Sequence, residues 1–332
     1  MQSIYRRLER RADAIRSRTG RFVRTKIGGL HVDLDHSTKN TILIAGNGRG
    51  GTTWLAELVN FDQRYRLIFE PFHSGKVSIC GCFARRQYLR PENDDPRYLE
   101  PANLILTGRV RSDWTDAYNK RFLCDRRLIK DIRVNLMLKW IRTHFSEVPI
   151  VLLLRHPCAV AHSRTYQGWS DSFDDVLAQE LLVQDFLAPF VSQMELASSP
   201  FERHIFLWCI ENYVPLRQLQ AGDGLVVFYE DLCQQPEREL QRLFSFLGRD
   251  LSNDVFQRLD IPSSQTRSRS SAIAIGGDLV SSWRPFVTPE MWRRAEEILQ
   301  MFGLHVLYGS GSLPLLPADQ VLVSRSPVAA GN

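Results

Sequence analysis

The sequence predicts an α/β fold in which a central, mostly parallel β-sheet carries helices on both faces. Three observations lead to it: short apolar runs, stretches with helical spacing that follow them, and a glycine-rich turn at the first junction between the two. Apolar runs without polar alternation suit strands covered on both sides, and their alternation with helices marks βα units. From Thr41, TILIAG leads into TTWLAELVN, and RLIFE follows. RRLIKDI then leads into NLMLKWIRTHF, VPIVLLL into PCAVAHSRTY, and GLVVFYE into PERELQRLFSFLG. Two longer segments interrupt this rhythm. Residues 71–124 mix Gly, Pro, Arg and aromatics irregularly, and 171–221 read as two long helices, DDVLAQELLVQDFL and ERHIFLWCIENYVPLRQL. Residues 262–282 are rich in Ser, Gly and Arg and read as a mobile loop before a final helix at 289–301. One domain is expected over 39–308, after a basic helix and lead-in (1–38) and before a flexible tail (309–332).

Composition excludes several classes. With 44% hydrophobic and 24% charged residues in 332, the chain is neither a collagen, a coiled-coil rod nor a disordered polymer. A net charge of +5 suits anionic ligands but falls short of a dedicated nucleic-acid binder, so no nucleic acid is expected as partner. Six cysteines are near background for this length, and the one close pair, Cys80 and Cys82, lacks two further ligands; no metal site is expected. No apolar run approaches the roughly 18 to 20 residues that span a bilayer, and the charged N-terminus lacks the apolar stretch of a signal peptide. A cytoplasmic protein is expected. Seven arginines in the first 21 residues, on a helix read over 2–18, offer peripheral contact with anionic lipid, against the commoner solvated helix.

The strongest local signal is Gly46-Asn-Gly48-Arg49-Gly50-Gly51-Thr52-Thr53 after the first strand, four glycines in six residues and then two hydroxyls. At such a junction the unpaired N–H groups of the helix start, with the helix dipole, face a bound anion. Two readings of the anion compete. Gly46-x-Gly48-x-x-Gly51 is a dinucleotide fingerprint, and Glu70 stands about 20 residues on, where a ribose-binding acid would sit; an NAD(P)-dependent oxidoreductase follows. Gly46 to Thr53 also fits a nucleoside-triphosphate loop, but Thr52 replaces its lysine and VPIVLLL ends in Arg155 rather than a magnesium-holding Asp, which argues against a kinase or ATPase.

A third reading uses more residues. Arg-Gly-Gly-Thr-Thr at 49–53 resembles the 5′-phosphosulfate loop of the sulfotransferases, and VLLLRHPCAVAHSR at 151–164 resembles the same family's 3′-phosphate motif. Phe69-Glu70-Pro71-Phe72, Lys130-Asp131-Ile132-Arg133-Val134 and the Phe228–Leu232 block with Pro236 and FSFLG extend the likeness toward carbohydrate 6-O-sulfotransferases acting on N-acetylglucosamine or galactose. Ser282-Trp283-Arg284 resembles the family's C-terminal Trp-Arg stretch, whereas His156 stands where an Asp is usual.

The resemblance implies a P-loop-like three-layer sandwich with about four or five strands. It implies sulfuryl transfer from 3′-phosphoadenosine 5′-phosphosulfate (PAPS) to a hydroxyl of a carbohydrate or glycan-containing acceptor, in line and without metal; a non-sugar natural product or lipid is the nearest variant. By this reading Arg49 faces the leaving phosphate and sulfuryl oxygens, and Gly50, Gly51, Thr52 and Thr53 hold the 5′-phosphate. Arg155 and Ser163 hold the 3′-phosphate, with Arg269 and Trp283 on the nucleotide from the C-terminal segment. Lys130 adds charge to the transferring group. Ile132 stands where cytosolic sulfotransferases carry a catalytic His, which leaves Glu70 as candidate base and Asp131 in reserve. Trp54 is a candidate to stack on adenine or to fill the core. Segments 71–124 and 171–221 are expected to wall the acceptor cleft.

Overall fold

The computed structural model describes residues 31–119, 121–266 and 272–322. The helix expected over 2–18 lies outside them. Five strands form one parallel sheet: β1 (Thr41–Gly46), β2 (Arg66–Phe69), β3 (Arg127–Asp131), β4 (Ile150–Leu154) and β5 (Leu225–Phe228). Their spatial order is β2-β3-β1-β4-β5, with β1 at the centre and Ile44 level with Lys130 and Val151. The sheet is therefore fully parallel.

Side chains alternate across each strand, so every apolar run serves two cores. Leu43, Ala45, Ile129, Leu152 and Leu154 face one side. There they meet α3 (Leu138–His144), α4 (Pro157–Tyr166), α5 (Pro200–Gln218) and α7 (Pro289–Met301), with Trp140 and Trp208 among the side chains. Ile42, Ile44, Leu128, Val151 and Leu153 face the other, against α1 (Thr52–Val59) and α6 (Pro236–Phe246). The result is the expected three-layer sandwich, and each helix follows its strand where the pattern placed it.

Three segments differ from expectation. Residues 71–124 contain a helix, α2 (Pro96–Leu106), capped by the Asp95 side chain on the Arg97 N–H. Pro96 at its first position is a normal helix start, but Pro101 inside it masks the periodicity. The first long helix read in 171–221 is instead a series of short pieces between Asp174 and Glu195. Gln179 breaks it: its side chain donates to the Arg86 carbonyl at 2.7 Å and accepts from the Tyr88 N–H at 2.8 Å. The stretch after Gly309, expected to be flexible, lies on the body as far as Leu322, with Ala318 and Val321 buried in the larger core. Among the described residues no helix is long and apolar enough to cross a membrane.

Candidate active site

At the C-terminal edge of the sheet the chain turns from β1 into α1 over the glycine loop. Gly51 caps the helix at φ 96°, and a Cβ there would lie 2.7 Å from the Tyr229 ring. Only glycine meets both demands. A Cβ on Gly48 would strike Trp169 at 2.6 Å. With no side-chain cap on α1, its first-turn N–H groups are left for an anion, beside the buried Thr52 and Thr53.

The loop is pinned from below by a buried charged network. Glu211, on α5, accepts from Asn47 Nδ2 at 2.6 Å, Arg164 Nη2 at 2.7 Å and Arg86 Nε at 2.7 Å. Arg164 Nε donates to the Gly48 carbonyl at 3.1 Å. Burial pushes the Glu211 carboxyl up, but Arg164 and Arg86 outweigh it and bring it down to about 2. Glu211 is thus a fixed anion through the neutral range. It was not singled out in the sequence, where the trace it leaves is an acid among apolar residues in FLWCIENYV.

A second cluster gathers where β4 meets α4. Arg155 lies 4.1 Å over the Tyr229 ring. It donates to the carbonyls of Arg49 and Leu279, both at a long 3.3 Å. Ser163 Oγ accepts from Arg49 Nε at 3.1 Å. Arg49, Arg155 and Ser163, from two distant motifs, therefore meet. Glu230 holds the corner by accepting the His156 N–H at 2.8 Å and the Tyr308 hydroxyl at 2.9 Å. Trp283, expected on the nucleotide, is 5% exposed and stacks on His156 with centroids 4.2 Å apart. Its ring is spent on the core, where it seats the corner that carries Arg155. Arg269 lies outside the described residues.

The third cluster closes β2 and β3. Glu70 receives Lys130 Nζ on one oxygen and Arg133 Nη1 on the other, each at 2.6 Å. Burial raises the Glu70 carboxyl, but the two cations and their hydrogen bonds win and hold it below its ordinary value. Asp131 is fully buried and accepts the backbone N–H groups of Phe72 (2.9 Å) and Arg133 (2.8 Å); burial pushes it up to about 6. The strand order also decides against a ribose role for Glu70. In a dinucleotide fold the acid ends the strand next to the glycine-loop strand, whereas here β3 separates β2 from β1.

Two cavities lie nearby, one along α1 and one against the glycine loop. One of about 260 Å³ is lined by Trp54, Leu67, Tyr118, Pro262 and Ser264 among others. Trp54 presents its ring to it while its Nε1 donates to the Leu259 carbonyl at 3.2 Å. The other, about 180 Å³, lies between Gly48, Arg85, Ile132, Arg133, Arg164 and Trp169. Arg85, Arg86 and Trp169 come from the two segments expected to wall the cleft or from their edge, and no motif marked them.

Residues 39–311 match the family model described as Sulfotransferase domain. The chain is 26% identical over 275 residues to Nodulation protein NoeE of Sinorhizobium fredii, a match covering 77% of this chain and 62% of that protein. It thus spans less than two thirds of the relative's length. Among solved structures, a sulfotransferase domain from the curacin biosynthetic pathway is similar at 15% identity and a TM-score of 0.44, covering 82% of this chain and 99% of the other. A sulfotransferase domain from the Synechococcus PCC 7002 olefin synthase follows at 19% and 0.43, covering 82% and 98%. Mouse sulfotransferase SULT7A1 complexed with PAP is similar at 14% and 0.42, covering 84% and 88%. The family match and the strand order overturn the oxidoreductase reading that the glycine spacing also allowed.

Proposed function

The chain belongs to the sulfotransferase domain family, whose donor is PAPS, and on that premise we propose that it transfers a sulfuryl group to a hydroxyl of a carbohydrate or glycan-containing acceptor, in line and with no part for a metal. The observation that carries the site assignment is the meeting of Arg49, Arg155 and Ser163 beside the α1 N-terminus. That juxtaposition supports two anion cradles side by side, one for each phosphate of the nucleotide.

Each residue has a task. The N–H groups of Gly50 to Thr53, with the Thr52 and Thr53 hydroxyls, hold the 5′-phosphate. Arg155 and Ser163 hold the 3′-phosphate; the long carbonyl bonds of Arg155 are readily exchanged for charge-assisted ones. Arg49 balances the charge that grows on the leaving phosphate, the kind of preorganised donor that dominates such barriers. Lys130 faces the sulfuryl oxygens from β3. Glu70, ionised at neutral pH, accepts the acceptor's proton as the new O–S bond forms. Trp283 positions Arg155 through His156, and Arg269 joins the nucleotide from the C-terminal segment. The 260 Å³ cavity beside α1 takes the adenine against Trp54.

A sugar acceptor is supported by the FEPF and KDIRV blocks and by the 26% identity to a nodulation protein. The test is transfer of label from ³⁵S-PAPS, in EDTA, to glycans ending in N-acetylglucosamine or galactose. Label on sugar in the wild type, and labelling about 10²- to 10³-fold slower in Arg49→Ala, is expected. Label that passes only to lipid or polyketide hydroxyls would overturn the sugar acceptor, and no turnover of PAPS with any acceptor would overturn the activity.

A further inference from the structure

The 180 Å³ cavity lies at the transfer end of the site, since Gly48 of the loop and Ile132, two residues past Lys130, both line it. It is smaller than the roughly 300 to 1,000 Å³ of pockets that engulf a whole ligand, so it suits one substituent of an acceptor. Its lining holds several hydrogen-bond donors that the described residues leave unused. Arg85 is half-buried and makes no hydrogen bond or ion pair with the described residues. Arg164 is 1% exposed; its Nε and Nη2 are spent on Gly48 and Glu211, but its Nη1 has no hydrogen-bond partner among the described residues. Arg133 commits Nη1 to Glu70.

Acceptors in the lining are, by contrast, exhausted. Glu211 alone among the lining residues is a carboxylate. One of its oxygens already receives Arg86, and the other receives Asn47 and Arg164. A buried donor without a partner is destabilising, and more so when charged. Burial and the neighbouring Arg86 work against the charge on Arg85 more than Asp175 and Glu211 support it, an imbalance that an anion beside it would relieve. Trp169 adds an apolar wall of the kind that lies against a sugar face.

We propose that the acceptor carries an oxyanion, a carboxylate, sulfate or phosphate, which sits in this cavity on Arg85 and Arg164 while the neighbouring hydroxyl is presented for transfer. The inference rests on the sulfotransferase reading and narrows its substrate class from sugars in general to acidic ones.

The test uses the full chain saturated with 3′-phosphoadenosine 5′-phosphate (PAP), so that the donor cradles are filled. Calorimetry then compares a neutral N-acetyllactosamine tetrasaccharide with the same scaffold bearing a uronic acid, a sulfate or a phosphate. At least one anionic form should bind about tenfold or more tightly than the neutral parent, the scale of one charge-assisted hydrogen bond. That advantage should collapse in Arg85→Gln and return in part in Arg85→Lys. Which anion gains most identifies the source. Equal binding of all four sugars, binding of none, or an advantage that survives Arg85→Gln would overturn the proposal. PAP affinity, measured first in every variant, reports separately on folding and on the donor site, so its absence in the wild type counts against the sulfotransferase reading instead.

Discussion

The two ends of the sheet treat arginine in opposite ways. At the N-terminal end β2 and β3 begin with Arg66 and Arg127, paired in register and 1% and 0% exposed. Arg66 binds both oxygens of Asp116, at 2.7 and 3.0 Å, and the Gly108 and Val110 carbonyls. Arg127 binds Asp33 at 2.9 Å, the Thr41 hydroxyl at 2.8 Å and the carbonyls of Asp35 and Ser37. At the C-terminal end Arg155 holds two long carbonyl bonds, Arg164 keeps one nitrogen unpartnered, and Arg85 binds nothing among the described residues. Saturated guanidiniums fix the frame; those with donors to spare are the ones we assign to ligands. Burial alone does not separate the two kinds, since Arg164 is as buried as Arg66.

The largest effect is expected at the saturated end. Arg127→Leu removes the hydrogen-bonded partner of the buried Asp33, leaving it only the longer 3.5 Å pair with Arg66, and strands the Asp35 and Ser37 carbonyls, so it should cost about 3 kcal/mol in urea unfolding. A loss under about 1 kcal/mol would break the contrast. At the other end Arg49→Ala should lower kcat about 10²- to 10³-fold, with an unfolding midpoint near the wild type's; undiminished turnover would remove Arg49 from the chemistry. Arg155→Ala should weaken PAP by about 1.5 to 3 kcal/mol in calorimetry. An unchanged affinity there would mean that the 3′-phosphate is held elsewhere.

The smallest effect is the most discriminating. Glu70 lies below its ordinary value, so as base it stays ionised when pH falls from 7 to 4.5, and kcat/KM should fall only below that. Asp131, up at about 6, would put the acidic limb near pH 6. The position of that limb chooses between the two carboxylates.

Much of this was legible in the residues. The βα rhythm placed all five strands because buried parallel strands are written as continuous apolar runs. The two motifs that meet at Arg49, Arg155 and Ser163 were legible because each is local: a loop with the helix after it, and an Arg at a strand end. The acceptor side was not. Glu211, Asn47, Arg86 and Arg164 meet from four parts of the chain, and only the folded sheet brings them together. Gln179 interrupts the helix that periodicity alone draws whole, through side-chain bonds to the backbone of Arg86 and Tyr88, more than 90 positions away. Glu70 was visible as a candidate, but its double clamp by Lys130 and Arg133 depended on β2 and β3 being neighbours.

Arg49, Arg155 and Ser163 together predict a donor site of two anion cradles, one of them specific for a 3′-phosphate. Calorimetry without added metal, comparing PAP, its analogue lacking the 3′-phosphate, and NADH, tests it most directly. Micromolar binding of PAP that is lost with the 3′-phosphate is expected. Equal binding of the two adenosine nucleotides, or a preference for NADH, would contradict the assignment of Arg155 and Ser163.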